Sequence, residues 1–406
     1  MSDVKVPRGA RTTLSHVEGD LEVENGAIIN SETDTLIVDG DIETDGDVTF
    51  SSSLRAGDLD GNEGDVEVHG DLTIGDVSIS DGALVVSGSL VARDIDADKS
   101  LLVSKDVTAE DIDVGGKAEI HCNLRAKQVD IGGSLDVGET ATLEEIDVGG
   151  TVRIGKKVTC HSIDVGGSVE IGGGRVSDKI EVGGSFESTG PLEFDTIDVG
   201  GSVRLRSESS GRRIDVGGAV HASGNLKFEE IDVGGTIEID GDTEGDDVDV
   251  GGFFKVRGDL RLNGELSVGG KCRVDGVIHS DRIEIGGAIE ASQILANLIE
   301  IGGALATEKG VKANSIVIGD RGRVKGPLVG DTLRIGERAN VEELYGREIT
   351  LEENSRARLV HAVNLRIESH CRIEGPVLYT GSIRAEDDVS FSVEPKKVES
   401  LPAAPL

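Results

Sequence analysis

The chain has 406 residues, 58 of them glycine and 2% aromatic, with a formal net charge of −36. No apolar run approaches the ~20 residues of a membrane helix, and Met1-Ser2-Asp3-Val4-Lys5 opens no apolar signal-peptide core. That length suits one elongated repeat array, where a compact fold would divide into domains. Four cysteines without close spacing fit a reducing compartment, so the expected location is cytoplasmic.

In chain order, residues 1–13 read as a polar arm. From Leu14 to Phe50 apolar residues alternate irregularly, as Leu21 and Val23, Leu36 and Val38, then Val48 and Phe50. Gly-Asp pairs at Gly19-Asp20, Gly40-Asp41 and Gly46-Asp47 mark corners between them. Residues 51–65 (SSSLRAGDLDGNEGD) read as a loop bulging from one coil.

From Ile112 the pattern is strict. I-D-V-G-G, nearly unchanged, restarts every 17 residues, at Ile112, Val129, Ile146, Ile163, Ile180, Ile197, Ile214, Ile231 and Val248. A short, strictly kept period is the signature of a solenoid. Within one repeat, Ile146 and Val148, Val152 and Ile154, and Val158 and Cys160 are i, i+2 pairs, each placing two side chains on one face of a strand. Gly149-Gly150, Gly155-Lys156 and His161-Ser162 separate them. One repeat is therefore one coil of a triangular, single-stranded β-helix. A helical reading fails, because the apolar period is two and each interior glycine would cost about 1 kcal/mol. A collagen reading fails without glycine at every third position. The Gly-Gly corners are expected to use glycine's access to positive φ. Few aromatics suit a narrow, uniform core.

After Gly252 the period wavers through Leu266, Ile283, Ile299, Ile316, Leu333, Ile349 and Leu365. The predicted β-helix spans 14–391 with about 20 coils, and residues 392–406 read as a disordered tail.

The acidity is ordered. Asp113, Asp130, Asp147, Asp164, Glu181 and Asp198 follow the first apolar residue of successive repeats and form an outward ladder. Neighbours ~4.8 Å apart repel by roughly 1 kcal/mol even in water, and screening is nearly complete at ~1 M salt. With arginine exceeding lysine 25 to 16, this predicts a high-salt cytoplasm.

No catalytic, cofactor or metal residues are predicted. His121-Cys122, Cys160-His161 and His370-Cys371 fall at different coil positions, and adjacent strand residues point apart, so they do not converge as tetrahedral ligands. The Gly-Gly corners lack the G-x-x-x-x-G-K-[ST] pattern of a phosphate loop. The outermost coils of a β-helix, by contrast, expose unpaired strand edges. Val17, Leu21 and Val23 at one end and Tyr379, Val389 and Phe391 at the other are the predicted polymer interface.

The coils Val68-His69-Gly70-Asp71-Leu72 and Val165-Gly166-Gly167-Ser168-Val169, within an array over residues 14–391, resemble those of the bactofilins, and the acidity resembles their haloarchaeal relatives, the halofilins. The resemblance implies a right-handed β-helix, nucleotide-independent homopolymers joined through end coils, and a role in cell shape. It leaves room for a membrane-anchored or cell-shape partner protein at the inner membrane face. It implies neither nucleic acid nor a small-molecule substrate. Two departures stand out: the array has far more coils than a typical bactofilin core, and no amphipathic membrane-binding peptide is evident at the start. Competing readings are a β-helix acyltransferase or polysaccharide lyase, and an acidic rod that mimics nucleic acid.

Overall fold

Alternating apolar residues on a two-residue period, cut every few residues by glycine, leave the backbone one economical way to pair. Each short strand bonds to its equivalent one coil away. The computed structural model describes residues 3–406, and its regular elements there are strands, with no helix among them. Two compact units divide the chain, Met1–Leu205 and Arg206–Leu406, and each is a parallel β-solenoid. In the first unit Asp111–Val114 pairs with Gln128–Ile131, which pairs in turn with Glu145–Val148.

The coil opened by Ile146 follows the sequence expectation. Its sides are Glu145–Val148, Thr151–Ile154 and Val158–Cys160. All six inward side chains, Ile146, Val148, Val152, Ile154, Val158 and Cys160, are at most 3% exposed, and Asp147, Arg153 and Thr159 face water. First sides begin at Val4, Leu21, Ile42, Leu59, Val77, Ile95 and Ile112, then at 17-residue intervals to Ile197. That makes twelve coils opened in the first unit. Eleven more open in the second, from Ile214 to Ile383, giving about 23 turns rather than about 20.

The Gly-Gly corners serve a different purpose from the one expected. None of these pairs has positive φ. They are required for close approach: a Cβ on Gly150 would lie 2.3 Å from the Gly133 carbonyl oxygen, and one on Gly167 2.2 Å from that of Gly150. Both atoms in each clash belong to the main-chain framework, so neither can swing away. The Gly-Asp corners stack by a second device. The Asp41 N–H donates to Asp20 Oδ1 (3.0 Å), Asp58 N–H to Asp41 Oδ1 (2.8 Å) and Asp76 N–H to Asp58 Oδ1 (2.8 Å). Each carboxylate fills the space a side chain on the next coil's glycine would need, as Asp41 does beside Gly57.

Three expected boundaries are corrected. The arm assigned to 1–13 is, from Val4 onward, the first coil: Val4–Val6 pairs with Leu21–Glu24, and Arg11–Thr13 with Ala27–Asn30; residues 1–2 lie outside the described residues. The loop assigned to 51–65 holds the strands Ser53–Arg55 and Leu59–Asn62, with Leu54 and Leu59 at most 1% exposed. The tail assigned to 392–406 begins by completing the last coil, where Lys396–Lys397 pairs with the strand Val377–Ala385.

The corners after the first side change character late in the second unit. Gly-Gly gives way to four-residue turns whose third residue is left-handed: Arg321, Arg338, Asn354 and His370 have φ of 58°, 57°, 59° and 60°. Already before these turns, where Gly-Gly corners persist, the strands lengthen, Lys271–Ile285, Ala288–Ile301 and Ala304–Ile318 each running through more than one side of a coil.

Candidate assembly surface on the outermost coils

A β-solenoid core is closed at each layer by the next layer, so its outermost layers are where apolar side chains meet water. The last coil has this character. Ile383 stacks on Leu365 and Phe391 on Ile373, and the same register sets Val389 beyond Cys371. Leu365, Ile367, Cys371 and Ile373 are at most 2% exposed. Ile383, Val389 and Phe391 occupy the same inward positions yet are only half-buried, and Val393 beside them is 49% exposed. Among the described residues the strand Ser390–Phe391 pairs only with Arg372–Ile373, so its other edge keeps unpaired backbone groups. Tyr379 sits one layer inward, half-buried, with Lys397 paired beyond it.

The first coil is smaller and more polar. Val4, Ala10, Thr12 and Ser15 are half-buried, while Val6 and Val17 are 1% and 2% exposed. Val17 lies on this first coil but is buried within it. Leu21 and Val23 do not lie on it: Val4 and Val6 stack on them and leave both 0% exposed. The pair Val4-x-Val6, seventeen residues before Leu21-x-Val23, carried the signal that would have placed the first coil one turn earlier. Ile383, which continues the ladder of first-side residues, belongs to the surface as well.

Charge differs between the two coils at one corner. The turn before the second side carries Glu386, Asp387 and Asp388 on the last coil, where Asp388 accepts from the His370 N–H. The matching turn of the first coil carries Arg8, with Arg11 opening the next strand, and both are exposed. The two turns share a closing hydrogen bond, Ala10 N–H to Pro7 O and Val389 N–H to Glu386 O.

The acidic ladder faces outward as expected: Asp113, Asp130, Asp147 and Asp164 are in register and exposed. Burial, then the neighbouring carboxylates, raise the Asp113, Asp147 and Asp232 carboxyls above their ordinary value. Past Glu300 the same column becomes Val317, Arg334, Thr350, Arg366 and Arg384, so the acidity is not uniform.

The histidine–cysteine pairs do not converge. His121 contacts Glu119, His161 contacts Ser177 and Asp178, and His370 contacts Asp388. Cys160, Cys272 and Cys371 are buried, and burial pushes the Cys160 thiol up to about 12. Among the described residues no cluster of three or more His, Cys, Asp or Glu side chains is arranged to hold a metal ion, and no helix is long and apolar enough to cross a membrane. Comparison with protein-family models, with curated proteins and with solved structures finds no match to this chain.

Proposed function

We propose that this chain is a structural protein that associates end to end with copies of itself, without nucleotide, into cytoplasmic filaments or scaffolds that contribute to cell shape. One observation carries the reading: Ile383, Val389 and Phe391 hold core positions of the last coil and remain partly exposed to water. Full burial of such a side chain contributes about 1.5–3 kcal/mol, and part of that gain is still available to whatever stacks on the last coil. The first coil of a second copy suits it. Its small Ala10 and Thr12 leave room beside Phe391, Arg8 and Arg11 lie at the corner that meets Glu386–Asp388, and its strand edges complete the backbone pairing. Four free cysteines agree with a reducing cytoplasm. The resemblance to bactofilins points the same way.

Electron microscopy of the purified protein at low and high salt, without nucleotide, tests this reading. Filaments lengthening by end-to-end addition are expected, and Phe391→Asp should disperse them by setting a charge against the stacked layer. Single molecules at every salt concentration would overturn the proposal and favour an acidic binding module.

A further inference from the structure

The outer surface of the second unit carries a continuous apolar and aromatic column, where among the described residues of the first unit the same column has only the separate apolar residues Ile37 and Val91. On the third side of successive coils the outward positions are Val329, Tyr345, His361 and Leu378, in register and flanked by Lys312 and Lys396. Their inward neighbours Leu328, Leu344, Val360 and Val377 are at most 1% exposed, so the alternation fixes which residues point out. The same column in the first unit reads Arg125, Thr142, Thr159, Arg175 and Glu193.

His361 is only 7% exposed despite its outward position. Among the described residues its Nδ1 has no hydrogen-bond partner, and its ring meets Tyr345 edge-on with centroids 5.1 Å apart. Residues 399–406 run between two fixed points on this same side. The Val398 N–H donates to the Tyr379 carbonyl (2.9 Å) at the far end of the third side. The Leu406 side chain packs at Gly310 and Pro327, at the start of the third side several coils back. Five layers at ~4.8 Å span about 24 Å, and eight extended residues reach about 26 Å. The segment therefore crosses the third side diagonally, over the coils that hold Tyr345 and His361. Leu401, Ala404 and Leu406 are half-buried, while Pro402, Ala403 and Pro405 are exposed. Two prolines remove backbone donors, so apolar side chains hold this strap.

We propose that the column from Val329 to Leu378 is a docking groove for the chain's own residues 399–406, and that the docked strap keeps the face of the last coil clear for a neighbouring copy. The second half rests on the end-to-end reading above; the first does not. Leaving the last coil at its outermost strand, an undocked segment sweeps the volume a second copy must enter. Docked, it runs back along the side.

The chain has two tyrosines and no tryptophan, so in full-length Tyr379→Phe the fluorescence reports Tyr345 alone. Leu401→Asp with Leu406→Asp should raise acrylamide quenching of Tyr345 by about twofold, as expected for a locally released segment, with the thermal unfolding of the coils nearly unchanged. Unchanged quenching would overturn the docking. Protection that disappears on dilution would assign the groove to a second copy's segment and overturn the intramolecular strap. Sedimentation of the same variant with Tyr379 restored should show reduced assembly. Equal assembly of wild type and variant would overturn the clearing role alone. No assembly by either, with the quenching difference intact, would refute the end-to-end reading and leave the docking standing.

Discussion

Gly167 shows how a repeat motif can be dictated by the coil beneath it. Its backbone is available to any residue, yet a Cβ would lie 2.2 Å from the Gly150 carbonyl oxygen. Gly167→Ala should lower stability by about 1–3 kcal/mol, read as a shift in the urea midpoint, whereas Ser168→Ala next to it should move the midpoint little. Equal effects would mean that the corner relaxes at no cost.

Asp147 carries the opposite kind of strain. Burial, then Asp130 and Asp164, raise its carboxyl above the ordinary range. The folded state thus binds the proton more tightly than the unfolded chain does. The resulting destabilisation is absent below the unfolded value, grows as pH rises toward the folded value, and is complete above it. Asp147→Asn should therefore stabilise the protein at pH 7, by less than about 1 kcal/mol for so exposed a group. The gain should vanish below the ordinary carboxyl range and shrink with salt. Urea midpoints at pH 7 and pH 3, with and without salt, check the sign.

At the scale of the element, the late corners exchange one solution for another. Gly-Gly allows close approach, whereas the turns around Arg321, Arg338, Asn354 and His370 accept one left-handed residue per coil. A left-handed conformation costs a residue with a Cβ roughly 1–2 kcal/mol. Arg338→Gly should raise the unfolding midpoint or leave it unchanged, and Arg338→Val should lower it, because a β-branched side chain tolerates positive φ least. A drop with glycine as large as with valine would mean the arginine side chain holds the turn.

Elements also explain where composition misleads. Residues 51–65 look like a loop because glycine, serine and aspartate dominate them. Gly61, however, takes an inward core position, where a Cβ would lie 2.7 Å from Ile79 Cδ1. A glycine filling a core site erases the i, i+2 signal of its strand. Val4-Lys5-Val6 kept that signal, but as one short strand among polar residues it reads as an arm until its pairing with Leu21–Glu24, and that of Arg11–Thr13 with Ala27–Asn30, show a coil.

Taken over the whole molecule, a net charge of −36 is a standing repulsion that the ion pairs only partly relieve. Many link adjacent coils, as Lys127 to Glu110 (2.7 Å) and Lys156 to Glu139 (2.8 Å) do, and they lie at the surface, where each contributes little. Repulsion between unpaired carboxylates should dominate. The urea midpoint should rise between low salt and about 1 M salt, where the Debye length falls to about 3 Å. A flat or falling midpoint would refute adaptation to high salt.

The sequence alone determined the repeating coil: its period, its three sides, the residues that face inward and the corners that join them. Those follow from local alternation and from identity between neighbouring repeats, and both are written in the order of residues. Tertiary structure decided the rest. It set the extent of the first and last coils, where pairing partners rather than composition define a strand. It covered Leu21 and Val23 while leaving Ile383 and Phe391 partly exposed. It also brought Leu406 to Gly310, nearly a hundred residues away along the chain, because the distance between two points on stacked coils depends on how many layers separate them and on the path the chain takes across them.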